Sequence, residues 1–306
     1  MASLTSALRM SRLERRNVVV GVLFALPWII GFLVFTIIPL AASLYFSFTR
    51  YDLLTPPRFI GVANYVNLFT RDEDFRTVMY NTLWWVLIAT PLGVISAFCM
   101  ALLLNTKIFA RSLFRAVFFF PSIVPVVVTA FVWLFLLNVQ YGAINSTLRG
   151  WGLPAIPFLS SPDLVKPSLV VIHMWAQGGA MVIFLATLQD VPRSLYEAAT
   201  IDGANAFHRL RSVTIPMVSP VILFNLVLSL IGGFQYFTLP YVLNPQGGPD
   251  KATLFYAVFI YRNAFSYMRM DKAAALSWVL FVMVMLITFV LFRASGRYIY
   301  YAGSNR

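Results

Sequence analysis

Six stretches of this chain contain no Asp, Glu, Lys or Arg: residues 17–48, 81–105, 116–138, 168–188, 217–240 and 273–292. Each is near or beyond the ~20 residues that carry a helix across a bilayer core. That feature leaves little choice of fold. In lipid every backbone N–H and C=O must be bonded within the protein, which admits helices and closed barrels. Long, uniformly apolar runs read as helices, so the expected class is all-α, a polytopic transmembrane bundle of about six spans. The first run is longer than a crossing needs, and Pro27 or Pro39 is expected to kink it or end it early. Composition agrees. Apolar residues make up 60% and charged residues 11% of the 306 positions, against about 25% charged in an ordinary soluble domain. There is too little polar side chain to coat a water-soluble core.

The charges sort by loop. With six spans both termini share one side, and that side carries thirteen of the 23 basic residues but four of the 11 acids. The basic excess marks it as cytoplasmic. The expected organisation is a cytoplasmic segment at residues 1–16, a membrane domain at 17–293 and a cytoplasmic tail at 294–306. The net charge of +12 does not imply nucleic acid, because the basic residues sit in short loops between apolar runs, not on one solvated face. Arg9, Arg12, Arg15 and Arg16 precede a run far longer than the ~7–15 residues of a signal core, so it reads as a retained span. Cys99 is the single cysteine, lies within a run and reads as a packing residue.

One loop on the cytoplasmic side, residues 189–216, differs from the rest. Asp190 is placed to cap a helix with Pro192 in its first turn, and Leu195, Ala198, Ala199 and Ile201 fall on one face. Asp202-Gly203 then offers a sharp break, since glycine tolerates positive φ. A second short helix is expected over residues 205–213, presenting Phe207 and Leu210. Small residues at the apex would let another surface approach closely.

Glu197-Ala198-Ala199, Asp202-Gly203-Ala204, then Ile215-Pro216 and Pro220, closely resembles the EAA loop of bacterial ABC-importer permeases. Weaker matches cover nearly the whole chain: Leu26-Pro27 through Ile38-Pro39, the stretch at 59–65, Gly247-Gly248-Pro249 and the tail at 297–303 are similar to the carbohydrate branch. They resemble the first of two paired permeases in maltose, multiple-sugar and glycerol-3-phosphate importers. Phe207 and Leu210 stand where that family commonly has tryptophan and phenylalanine.

The resemblance implies a type I ABC-importer permease fold in the bacterial inner membrane. It implies that Glu197, Ala198, Ala199, Asp202, Gly203 and Ala204 seat against an ATP-binding subunit. Two such subunits, a second permease forming a heterodimer, an extracytoplasmic solute-binding protein and a sugar substrate are the implied partners. No G-x-x-x-x-G-K-[ST] phosphate loop occurs, so ATP and Mg are expected on the partners, with no cofactor and no enzymatic activity on this chain.

A sugar path needs aromatic faces with amide and hydroxyl partners inside the membrane. Trp175 and Gln177 in the fourth run, and Ser229, Gly233, Gln235 and Tyr236 in the fifth, are the candidates. Asn225 and Gly232 accompany them, and His173 reads as a hydrogen-bonded structural residue. The competing reading is helix packing, since small residues permit close approach and polar ones bond across helices. Two histidines and one cysteine, scattered, give no metal-ligand spacing.

Two other functions compete. A proton-coupled transporter usually keeps ionisable carboxylates within the membrane, and all 11 acids lie in loops. Sodium coupling through carbonyls stays open. An embedded transferase would need paired acids at a membrane boundary, and Asp72-Glu73-Asp74, the one acid cluster, reads as a solvated loop.

Overall fold

The computed structural model describes residues 12–106 and 109–295, and their architecture is an all-helical bundle with one small ribbon. Arg9, Lys107, Arg297, Arg306 and the tail motif at 297–303 lie outside those residues. Among the described residues four helices are long and apolar enough to cross a bilayer alone, and counting each of two bent pairs as one span brings the number to six.

The first span, α1, runs from Arg12 to Ser47, and neither proline ends it. The helix instead widens by one π-turn at Leu33–Ile37, where Ile38 N–H bonds the Leu33 carbonyl immediately before Pro39. Proline has no N–H to give, and its ring presses on the carbonyl four residues back. A wider turn at that point accommodates it. The same arrangement recurs at Leu210–Thr214, where Ile215 N–H bonds the Leu210 carbonyl just before Pro216.

The stretch at 59–65 anchors the far end of α1. Strands β1 (Thr49–Arg50) and β2 (Arg58–Phe59) pair antiparallel, with Thr49 opposite Phe59, and lead into α2 (Ala63–Thr70). Buried Asn64 donates from Nδ2 to the Ser47 carbonyl at 2.9 Å and the Thr49 carbonyl at 2.8 Å, while Tyr65 Oη donates to Ser47 Oγ at 2.7 Å. Carbonyls that a helix end leaves open are thereby satisfied.

The central helix is α3 (Glu73–Asn105). The acid cluster at its head is not the solvated loop expected. Asp72 caps α3 by accepting from Phe75 N–H at 3.2 Å, and Glu73 and Asp74 occupy the first turn, where negative charge complements the helix dipole. Asp72 also pairs with Lys272 Nζ at 2.5 Å, both side chains only 16% exposed. The more exposed Asp74 meets Lys251 at 2.6 Å, and its hydrogen bond holds that lysine above its ordinary pKa.

The run at 116–138 is not one straight crossing. It divides into α4 (Arg111–Ile123) and α5 (Val126–Leu136), bent by 102°. Between them Val124 is extended, at φ −69° and ψ 128°, as the ring of Pro125 requires of the residue before it. A short outer helix, α6 (Ala143–Gly150), follows, then α7 (Pro162–Trp175) and α8 (Gly178–Asp190), bent by 46°. The remainder is α9 (Arg193–Ile201), α10 (Ala206–Arg209), the second π-turn, α11 (Ile215–Phe234), α12 (Thr238–Leu243), α13 (Tyr256–Tyr261), a third π-turn (Arg262–Ser266) and α14 (Met270–Ser295).

Helix α3 packs against α7, α8 and α11, and these four form the body of the bundle. One apolar cluster gathers Trp85, Leu169, Phe234 and Phe255, and another gathers Leu104, Leu188, Val191 and Val218 at the opposite end. The first part of α1, Arg12–Phe32, buries no residue, while its last turns lie on α14. Cys99 faces outward from α3, so it is not the packing residue expected.

Candidate functional site

Two places gather the candidate residues: a cavity beside α3 and the α9–α10 turn. The cavity, about 390 Å3, is walled by α3, the α7–α8 bend and α11. Gln177 sits at that bend and reaches back, with Nε2 at 3.0 Å from His173 Nε2 and donating to the His173 carbonyl at 3.2 Å. Room for this pair comes from Gly93 on α3, where an added Cβ would lie 2.6 Å from His173 Nε2 and 3.1 Å from Gln177 Nε2. His173 is also edge-on to Trp85, with ring centroids 5.5 Å apart.

From α11 the wall receives Asn225, Ser229 and Gly233. Asn225 bonds back to the Val221 carbonyl at 2.9 Å. A Cβ on Gly233 would sit 2.9 Å from Thr90 Oγ1, so this position sets how closely α11 approaches α3. Tyr236 follows the end of α11 and lies flat on Trp85, with centroids 4.1 Å apart and planes 8° from parallel. Phe255 meets both rings edge-on. The Tyr236 hydroxyl is shielded and has no hydrogen-bond partner among the described residues.

Of the six sequence candidates, Gln177, Ser229, Gly233 and Tyr236 therefore share one cavity. The other two do not line it. Trp175 turns aside to meet Trp133 edge-on at 5.6 Å. Gln235 caps α11 and is exposed. Trp85 was missed; its one sequence signal was a tryptophan pair, Trp84-Trp85, inside an apolar run. Among the described residues no three His, Cys, Asp or Glu side chains come together as a metal group.

The second place is the turn after α8. Asp190 ends α8 and does not cap α9, whose N-cap is Pro192. Helix α9 buries none of its residues. It closes in a Schellman arrangement: Ala204 N–H bonds the Ala199 carbonyl at 2.9 Å, and Gly203 N–H bonds the Thr200 carbonyl at 3.1 Å. Gly203 has φ +78°, the left-handed geometry this stop demands, and nothing lies within 4 Å of where its Cβ would be. Asn205 then caps α10 by accepting from His208 N–H at 2.8 Å.

The second helix of the loop does not stop at residue 213 as expected. Residues from Ala206 onward pass through the π-turn into α11 as one continuous helix. The turn is braced from behind, where Tyr196 Oη and Thr214 Oγ1 are 3.0 Å apart and Arg209 donates to Thr200 Oγ1 at 3.2 Å. In front, Ile201 is 87% and Phe207 69% exposed, beside exposed Glu197 and Asp202. Its apolar groups face away from this chain.

Comparison with known proteins gives a consistent set of likenesses. Residues 89–298 match the family described as "Binding-protein-dependent transport system inner membrane component". A probable ABC transporter permease of Bacillus subtilis, YesP, is 38% identical, covering 96% of each chain. The lactose transport system permease LacF of Rhizobium radiobacter is 33% identical over 93% of this chain and 97% of that one. The trehalose/maltose permease MalF of Thermococcus litoralis is 31% identical over 94% and 97%. Among solved structures, a chain of a bacterial alginate ABC transporter superposes with a TM-score of 0.81 at 24% identity, covering 92% of this chain and 96% of that chain.

Proposed function

Because the chain belongs to the family of binding-protein-dependent transport system inner membrane components, we propose that it is one membrane subunit of an ATP-driven importer of sugars or oligosaccharides. The observation that carries the proposal is the α9–α10 turn. It offers exposed apolar and acidic groups on a braced, sharply capped loop, which is the form of a docking knob for a separate subunit. The sugar class is supported by the relatives, since permeases named for lactose and for trehalose/maltose align over more than nine-tenths of the chain.

In this reading Glu197 through Ala204 seat in the ATP-binding subunit, which faces the cytoplasm, as do both termini. ATP and Mg are held by two such subunits. A second permease completes the path as a heterodimer, and a solute-binding protein delivers sugar from outside. Within this chain Gln177, Ser229, Gly233 and Tyr236 contribute to the path wall. The unpartnered Tyr236 hydroxyl is suited to a substrate rich in hydroxyl groups, because a shielded hydroxyl left unbonded costs about 1–3 kcal/mol.

The test is uptake by cells lacking only this chain. They should lose binding-protein-dependent uptake of one saccharide from an oligosaccharide panel and regain it with the wild-type gene. Uptake that survives ATP depletion and follows a sodium gradient would select a secondary transporter instead.

A further inference from the structure

At the end of the bundle that carries α9, a second cavity of about 600 Å3 opens between α4 and α8. Its walls are Arg111, Ser112, Arg115, Ala116, Phe119 and Val182. Arg111 and Arg115 are one helical turn apart and share a face of α4. Nε and Nη2 of Arg111 are shielded from solvent and have no hydrogen-bond partner among the described residues. Neither arginine is in an ion pair among the described residues. The same face of α4 continues apolar, with Ala116 and Phe119 in the lining and Ile123 exposed beyond them.

Two shielded guanidinium N–H groups without an acceptor are costly, and a charge drawn even partly out of water calls for a partner of opposite sign. An oxyanion answers that need, and a phosphodiester fits the planar fork of arginine. The direction of the apolar surface says what must be attached to it. Along α4, away from Arg111, exposed aromatic and aliphatic side chains continue toward the break at Val124. An anion with two acyl chains satisfies both parts of the cavity, which free phosphate does not. We infer that Arg111 and Arg115 form a binding site for one acidic phospholipid, its headgroup on the guanidinium groups and its chains along α4 and Val182. Basic pockets between helices at a membrane boundary recognise lipid headgroups by this chemistry.

The experiment uses the full chain in neutral detergent, stripped of lipid and titrated with phosphatidylglycerol or phosphatidylcholine under native mass spectrometry. Wild type should retain one phosphatidylglycerol and show no such preference for phosphatidylcholine. Arg111→Gln and Arg115→Gln should each weaken retention about fivefold, with the phosphatidylcholine signal unchanged. Arg115 is exposed, so Arg115→Gln keeps the test open if Arg111→Gln fails to fold. Equal retention by wild type and the double variant overturns the site, as does equal binding of the two lipids. Release of phosphatidylglycerol by millimolar inorganic phosphate would show a small-anion site and overturn the lipid. In native membranes a photo-crosslinking residue at Phe119 should capture lipid; capture of a partner protein there would also overturn it.

Discussion

Tyr236 lies flat on Trp85, 4.1 Å between ring centroids, so one face of its ring is covered, while its shielded hydroxyl has no partner among the described residues. This changes what the tyrosine can do for a sugar. One aromatic face is already covered by a tryptophan that is 1% exposed, so a pyranose cannot stack there. Hydrogen bonding remains.

Tyr236→Phe should therefore keep the Trp85 stack and lose only the hydroxyl. Sugar uptake should fall by roughly 2- to 12-fold, the equivalent of about 0.5–1.5 kcal/mol for one neutral hydrogen bond. Tyr236→Ala should cost more, because an aromatic pair is lost as well. Gln235→Ala, outside the cavity, should import nearly as wild type. Basal ATP hydrolysis of the assembled complex should survive in all three. Unimpaired uptake by Tyr236→Phe would remove the hydroxyl from the path.

Gly203→Val should uncouple the complex. Its φ of +78° costs a β-branched residue about 1–2 kcal/mol or more, and the added methyl groups would project into the open space proposed to receive the ATP-binding subunit. The variant should insert into membranes at normal levels yet fail to co-purify with the ATP-binding subunit. Full uptake and stimulated ATP hydrolysis in the variant would exclude docking at this turn.

Orientation is checked with single cysteines in a Cys99→Ser background, a needed replacement because Cys99 is exposed on α3. A cysteine at Ser146 on α6 should react with an impermeant thiol reagent on intact cells. One at Ser212, in the second π-turn, should react only after lysis. Labelling of position 212 from outside would reverse the topology and withdraw the coupling role.

The Asp72–Lys272 pair ties the head of α3 to the start of α14, two segments far apart in sequence. Asp72→Ala removes both a helix cap and the partner of a shielded lysine. About 1–3 kcal/mol should be lost, cap and unpaired charge together, seen as a lower melting temperature in detergent. The Asp72→Asn, Lys272→Met double variant should recover part of it, since neither charge is then left alone. Purely additive losses would mean that the two residues act independently.

The membrane-spanning runs were legible because a bilayer filters for one property, the absence of charge over a fixed length. The break at Val124 was less so, since hydropathy registers composition and is blind to direction. Pro121 and Pro125 were the available signal there. Gly203 could be read because a stop after a short helix needs positive φ locally, with no information from afar. The fates of Trp175 and Gln235 could not, because a helix face becomes a cavity wall only when its neighbours are placed. Asp72 carried both kinds of information. Its capping role was available from Asp72-Glu73-Asp74 preceding an apolar run, whereas Lys272 as its partner required the tertiary fold.

The continuity of Ala206 through Phe234 has a mechanical consequence. From Phe207 to Ser229 the backbone is a single hydrogen-bonded rod of about 33 Å at ~1.5 Å per residue. A helix resists shortening along its axis, so Phe207 and Ser229 keep a nearly fixed separation. Its compliant place is the wider turn ahead of Pro216, which permits bending sideways but little shortening. The next interruption is at Gln235–Phe237, where Tyr236 joins the cavity wall. Whatever grips the exposed turn thus holds one end of a helix whose other end carries Ser229 and Gly233 in the cavity wall.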